Sequence, residues 1–158
     1  MSIRNLRLLF ALAAAMTRSA LAQTTTTTRT SDFSFPLVGL ASTETIGVNL
    51  INLASNTTSG TAASCTGTVA FLNSTGTTIG TATTFTLAAD AATSVTLTFS
   101  SAGLTSPRGL IRTVLTTTNT SNVPCSLSFS LNTYDTSTGV THVFLTGSGI
   151  QSGPSFGR

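Results

Sequence analysis

The sequence predicts an all-β protein on three observations: short runs rich in Val, Ile, Leu, Phe and Thr, alternation of apolar and hydroxylated side chains within them, and punctuation by Gly, Asn, Asp, Ser and Pro. A period of two sends one set of side chains to each face of an extended strand. Beyond the N-terminal segment no stretch sustains helical spacing, and Thr, a poor helix former, dominates. The number and spacing of the runs fit an immunoglobulin-like antiparallel β-sandwich of about eight strands with one disulfide.

The expected strands run from Phe33 to Leu40, Thr45 to Leu53, Ser64 to Asn73, Thr77 to Leu87, Ala92 to Ser100, Arg108 to Thr118, Cys125 to Tyr134 and Val140 to Thr146. In the first, Phe33 and Phe35 flank a Ser just before Pro36, which marks an edge strand in preference to a donated one. The second is less regular: Ile46, Val48 and Leu50 share a parity, then Ile51 and Leu53 take the other, which predicts a bulge near Asn49 to Asn52. Cys65, Gly67, Val69 and Phe71 share a face of the third, and Val95, Leu97 and Phe99 a face of the fifth. The seventh alternates most cleanly, with Cys125, Leu127, Phe129 and Leu131 against Ser126, Ser128 and Ser130. Asn73-Ser74-Thr75-Gly76, Ala88-Ala89-Asp90-Ala91 and Asp135-Thr136-Ser137-Thr138-Gly139 read as links between neighbouring strands, so hairpins are the expected local topology.

The N-terminus has the layout of a secretory signal peptide over residues 1–22. Arg4 and Arg7 precede an apolar run from Leu8 to Met16, and Ala20-Leu21-Ala22 is a small-x-small cleavage site before Gln23. The run is far shorter than the roughly 20 residues a membrane-spanning helix needs. Residues 23–31 read as a Thr-rich linker, 32–147 as the sandwich domain and 148–158 as a flexible tail.

Processing would change the electrostatics. The full chain carries +3, but Arg4, Arg7 and Arg18 leave with the signal segment, so that Arg29, Arg108, Arg112 and Arg158 face Asp32, Glu44, Asp90 and Asp135 at a net charge of zero. No basic patch remains to bind nucleic acid or anionic lipid. A surface without Lys, soluble through hydroxyls and amides, leans towards self-association.

Cys65 and Cys125 form an even pair in a chain expected to be exported, so a disulfide between them is the default. Both stand at the start of a strand on the apolar parity, which puts the bridge at one end of the core.

No cofactor, metal or catalytic signature emerges, and the chain is not read as an enzyme. His142 is the single histidine and lacks a second His, a Cys pair or a carboxylate cluster in its neighbourhood in the sequence, so a structural or surface role is expected. No elbow motif surrounds any serine, and Asp90 and Asp135 sit in separate turns. Arg112 is the one candidate interaction residue. It shares parity with Leu110 and Val114 in mid-strand, and it reads as an edge-strand gatekeeper or snorkelling side chain paired with Glu44 or Asp135 in preference to a carboxylate- or partner-binding arginine. The Thr-rich runs Thr81 to Thr86 and Thr93 to Thr98 invite an ice-binding reading, but they lack a repeat of fixed length, and Thr on strands is ordinary β-propensity. Asn56-Thr57-Thr58, Asn73-Ser74-Thr75 and Asn119-Thr120-Ser121 match the N-glycosylation pattern, as a Thr-rich chain does by chance.

The stretch Phe35-Pro36-Leu37-Val38-Gly39-Leu40-Ala41, then Val48-Asn49-Leu50-Ile51-Asn52-Leu53, Cys65 leading into Val69-Ala70-Phe71-Leu72-Asn73-Ser74-Thr75-Gly76, and Phe85-Thr86-Leu87-Ala88 resembles small exported bacterial proteins of unassigned function from soil and environmental lineages. Tyr134-Asp135-Thr136-Ser137-Thr138-Gly139 resembles that group's closing hairpin, and the likeness spans about Ser34 to Leu145. It implies an exported single-domain sandwich and no activity. The functional expectation is a secreted, non-catalytic structural or interaction module, extracellular or periplasmic, acting by self-association or on a matrix or cell-surface polymer. A pilin-like assembling subunit and a carbohydrate-binding module are the alternatives.

Overall fold

The computed structural model describes residues 28–54, 64–119 and 125–150, the last three by backbone alone. The expected signal segment, the start of the Thr-rich linker and the tail beyond residue 150 lie outside them. Among the described residues the chain forms nine strands and no helix: β1 Arg29–Ser34, β2 Val38–Ala41, β3 Glu44–Asn52, β4 Cys65–Leu72, β5 Thr78–Leu87, β6 Ala92–Thr98, β7 Arg108–Asn119, β8 Ser126–Asp135 and β9 Thr141–Ile150. They make two antiparallel sheets. In one, β7 lies between β4 and the successive edge strands β1 and β2, and β5 closes the far side; in the other the order is β6-β3-β8-β9. The molecule is a β-sandwich whose inner faces alternate as predicted in β3, β4 and β8, with Ile46, Val48 and Leu50, Val69 and Phe71, and Leu127, Phe129 and Leu131 buried; β7 adds Ile111 and Leu115.

The disulfide joins Cys65 at the head of β4 to Cys125 just before β8, with the Cα atoms 5.3 Å apart, and so ties one sheet to the other. Across the opposite edge the rings of Phe33 and Phe35 meet the Phe129 ring at centroid distances of 4.6 and 5.6 Å. That packing needs a glycine opposite: a Cβ on Gly147 would sit 2.3 Å from the Phe129 ring.

The structure departs from the sequence expectation at four places. The first strand is two, β1 and β2, because Pro36 has no N–H to give and the chain leaves the β7 ladder around it. Second, β1 starts at Arg29, within the stretch read as linker, and β9 runs to Ile150, past the expected end of the domain. Third, β3 has no bulge. Its pairing with β8 is continuous from Glu44 to Asn52, Ile51 faces solvent, and Asn52 is buried. Asn52 Nδ2 donates to the Leu87 carbonyl at 3.2 Å, its Oδ1 accepts from Ala54 N at 3.1 Å, and its backbone bonds Ala91 and Asp90 at 2.9 Å each. Burial of this amide is tolerated because both ends of it are satisfied. Fourth, Ala88 to Ala91 is a corner and not a hairpin, since β5 and β6 belong to different sheets; Asp90 turns it with a φ of 60°. The Asn73–Gly76 and Asp135–Gly139 turns do close hairpins, β4 with β5 and β8 with β9.

Candidate functional site

The solvent side of the β6-β3-β8-β9 sheet is assembled by register. Ser94, Asn49, Ser130 and Thr146 stand side by side across the four strands, with Thr96, Gly47, Asn132 and Phe144 as the row on one side and Ala92, Ile51 and Ser128 as the row on the other. Asn49 is the hub: its Nδ2 donates to Ser130 Oγ at 3.3 Å and to Asn132 Oδ1 at 3.2 Å. This leaves Asn49 Oδ1 as an acceptor and Asn132 Nδ2 as a donor towards solvent. A groove of about 560 Å³ runs over the Asn49 and Ile51 rows, lined by hydroxyls, the Asn49 amide, Ile51 and Phe144, with no charged side chain. Phe144 is 63% exposed, unusual for a ring of that size, and flanks the polar floor.

A second feature lies at the end of the sandwich. Glu44, on the inner parity of β3, accepts from Ala41 N through Oε2 at 2.7 Å and bonds His142 Nδ1 through Oε1. Burial pushes the Glu44 carboxyl up, but the His142 bond, the Ala41 amide and the electrostatic pull of His142 and Arg108 bring it below its ordinary value. The pair fastens the β2–β3 corner to β9. Nearby, Asp135 Oδ1 accepts from Ser137 Oγ at 2.6 Å, Thr138 N at 2.8 Å, Ser137 N at 3.0 Å and Thr138 Oγ1 at 3.0 Å. These donors, led by the Ser137 hydroxyl, hold the carboxyl well below the usual range.

The chain matches no family model, no curated protein and no solved structure.

Among the sequence candidates, Cys65 and Cys125 come together as expected, and His142 sits on the surface beside Glu44. The reading of Arg112 as an edge gatekeeper paired with Glu44 or Asp135 is corrected. Its strand β7 is flanked on both sides, so it guards no sheet edge, and its parity is the solvent face, since Ile111, Thr113 and Leu115 point inward. Both expected partners are engaged elsewhere, Glu44 with His142 and Asp135 with its own turn. Arg112 instead borders a depression of about 170 Å³ with Leu37 and the Asn73–Gly76 turn. Of the three glycosylation patterns, Asn73 uses Oδ1 to hold Thr75 N and Thr77 N, Asn119 is buried, and Asn56 lies outside the described residues. Sequence reasoning missed Phe144 because Phe144 and its neighbours Val143 and Leu145 are apolar on both parities, so either face was a reasonable inside. It missed the Glu44–His142 bond because 98 residues separate the partners. Among the described residues no helix is long and apolar enough to cross a membrane, and no cluster of three His, Cys, Asp or Glu side chains is placed to hold a metal.

Proposed function

We propose that this chain is a secreted, non-catalytic interaction module of the cell surface or extracellular matrix, built on an immunoglobulin-like sandwich. Five of its connections, β2 to β3, β3 to β4, β5 to β6, β6 to β7 and β7 to β8, change sheet, which supports that fold family. The signal-peptide layout and the inter-sheet disulfide support export. One observation carries the interaction reading: the uncharged groove over β6, β3, β8 and β9, with the Asn49–Ser130 bond at its floor and an exposed ring at its rim. Such a groove favours a neutral partner rich in hydroxyls, held by paired donors and acceptors and by contact with the Phe144 face. That chemistry favours a carbohydrate-binding module as the second reading. The pilin-like reading draws less support, since β1 and β2 of the same chain already cover the β7 edge that a donated strand would need.

The test is retention of the purified, oxidised protein on insoluble glycans and on intact cells. Retention is expected, and Phe144→Ala should lower the affinity about tenfold, the loss of one aromatic contact. A protein that stays monomeric and in the supernatant with every polymer and cell type overturns the proposal.

A further inference from the structure

The other outward face carries a pattern that the sequence hides. On the β1-β7-β4-β5 sheet, Thr86, Thr66, Thr118 and Thr30 lie in one cross-strand row, and Thr84, Thr68, Thr116 and Asp32 in the next. Three neighbouring strands thus present a Thr-x-Thr unit in direct register, although the three units come from distant parts of the chain and no linear repeat links them. The following row is small as well, with Ala70, Val114 and Ser34. Gly67 keeps β4 close to β7, since a Cβ there would meet the Thr116 carbonyl oxygen at 2.1 Å. Thr66 is fixed by the bond from its hydroxyl to the Thr118 carbonyl at 2.7 Å.

We propose that this threonine array binds the surface of ice. The array repeats at about 4.8 Å across the strands and about 6.6 Å along them, twice the rise per residue. Hexagonal ice presents oxygen rows on its prism face at one length close to the first of these and at another somewhat longer than the second, a misfit that confines the match to a small patch. Each threonine offers a hydroxyl oxygen that joins a water lattice, Thr66 as an acceptor because its proton goes to the Thr118 carbonyl, and a methyl that water must cage, so a two-dimensional set of them orders a first water layer in register with the crystal. Charge complementarity selects the same occupant: the threonine rows hold no charge between Asp32 at one border and Arg112 two rows beyond Thr116, and ice is an uncharged lattice. Sheet twist sets the strength. A rotation of about 20–25° per strand turns the outer columns away, so Thr66, Thr68, Thr116 and Thr118, on two adjacent strands, form the flattest part and Thr84 and Thr86 a rim. A patch this small slows the recrystallisation of ice and gives little depression of the freezing point.

The test is partition of the oxidised full chain into a slowly growing ice front, together with grain growth in annealed ice. The protein should be enriched in ice several-fold over a co-dissolved reference protein and should hold grains small. Thr68→Tyr with Thr116→Tyr should return both readouts to the reference level, and the rim change Thr84→Tyr, which leaves the central strands untouched, should weaken them. Phe144→Ala should leave both unchanged, which separates this face from the groove. Reference-level partition of the parent chain overturns the assignment, as does full activity in the double tyrosine variant. Enrichment on crystalline chitin or cellulose without enrichment in ice would reassign the array to a crystalline glycan.

Discussion

The two outward faces of this sandwich are built on the same plan and differ in what they can meet. Both belong to antiparallel sheets whose inner sides carry the same aliphatic and Phe side chains; the groove of one is lined without a charged side chain, and the other keeps its charges, Asp32 and Arg112, at the margins of its threonine rows. One is a field of β-branched hydroxyls, Thr66, Thr68, Thr84, Thr86, Thr116 and Thr118. The other mixes Ser, Asn and Gly47 with two exposed apolar groups, Ile51 and Phe144, and so acquires a groove in place of a plane. Inward residues decide that a sandwich forms; outward residues, which fold stability constrains far less, decide what each side presents.

The largest expected effect breaks both faces together. Cys65→Ala with Cys125→Ala removes the tie between the sheets, and closing a loop of 60 residues is worth about 4 kcal/mol in the chain-entropy account. Urea unfolding of the oxidised parent and the variant should differ by that amount, and glycan and ice readouts should fall in parallel.

Next in size is Asn52→Ala, expected to cost about 2–3 kcal/mol in the same assay. It leaves the Leu87 carbonyl and the Ala54 amide without their partner at the corner where β5 passes the chain to the second sheet.

A change in the opposite direction sharpens the comparison, because it should strengthen the interior and touch neither face. The hydroxyls of Thr113 and Thr133 are buried, one under each sheet, with no hydrogen-bond partner among the described residues. Thr133→Val should raise stability by about 1 kcal/mol and leave binding at both faces as it was.

The smallest effect belongs to pH. Glu44 and Asp135 are both held below their ordinary values of 4.5 and 3.8, so their bonds contribute stability that is fully present above that range and is lost as pH falls through the lowered folded-state values. Melting temperature should therefore be level from about pH 6 to pH 5 and decline below about pH 4. Glu44→Gln should flatten part of the decline. The loosening should be felt first at the β9 end of the grooved sheet, where His142 is held, and not in the threonine field.

What could be read from the sequence follows from which forces are local. The β8 alternation was legible from Leu127 to Leu131 because each inward residue there is apolar and each outward one is Ser. Buried Asn52 beside exposed Ile51 reversed that rule, and only the corner carbonyl and amide that satisfy the Asn explain why. The turn chemistry of Ala88 to Ala91 is the same for a hairpin and for a corner between sheets, so the residues announced a reversal and not its destination. Register lay further out of reach. The Thr-x-Thr units were visible one at a time, but the alignment of Thr68 between Thr84 and Thr116 is a property of the assembled sheet.

Register is also where the account is most exposed, because a slip of one residue would turn every side chain to the opposite face. Nuclear Overhauser contacts of the Thr68 methyl in the oxidised protein measure it directly. The account predicts contacts to Thr84 on one side and Thr116 on the other; contacts to Phe85 and Leu115 in their place would contradict it.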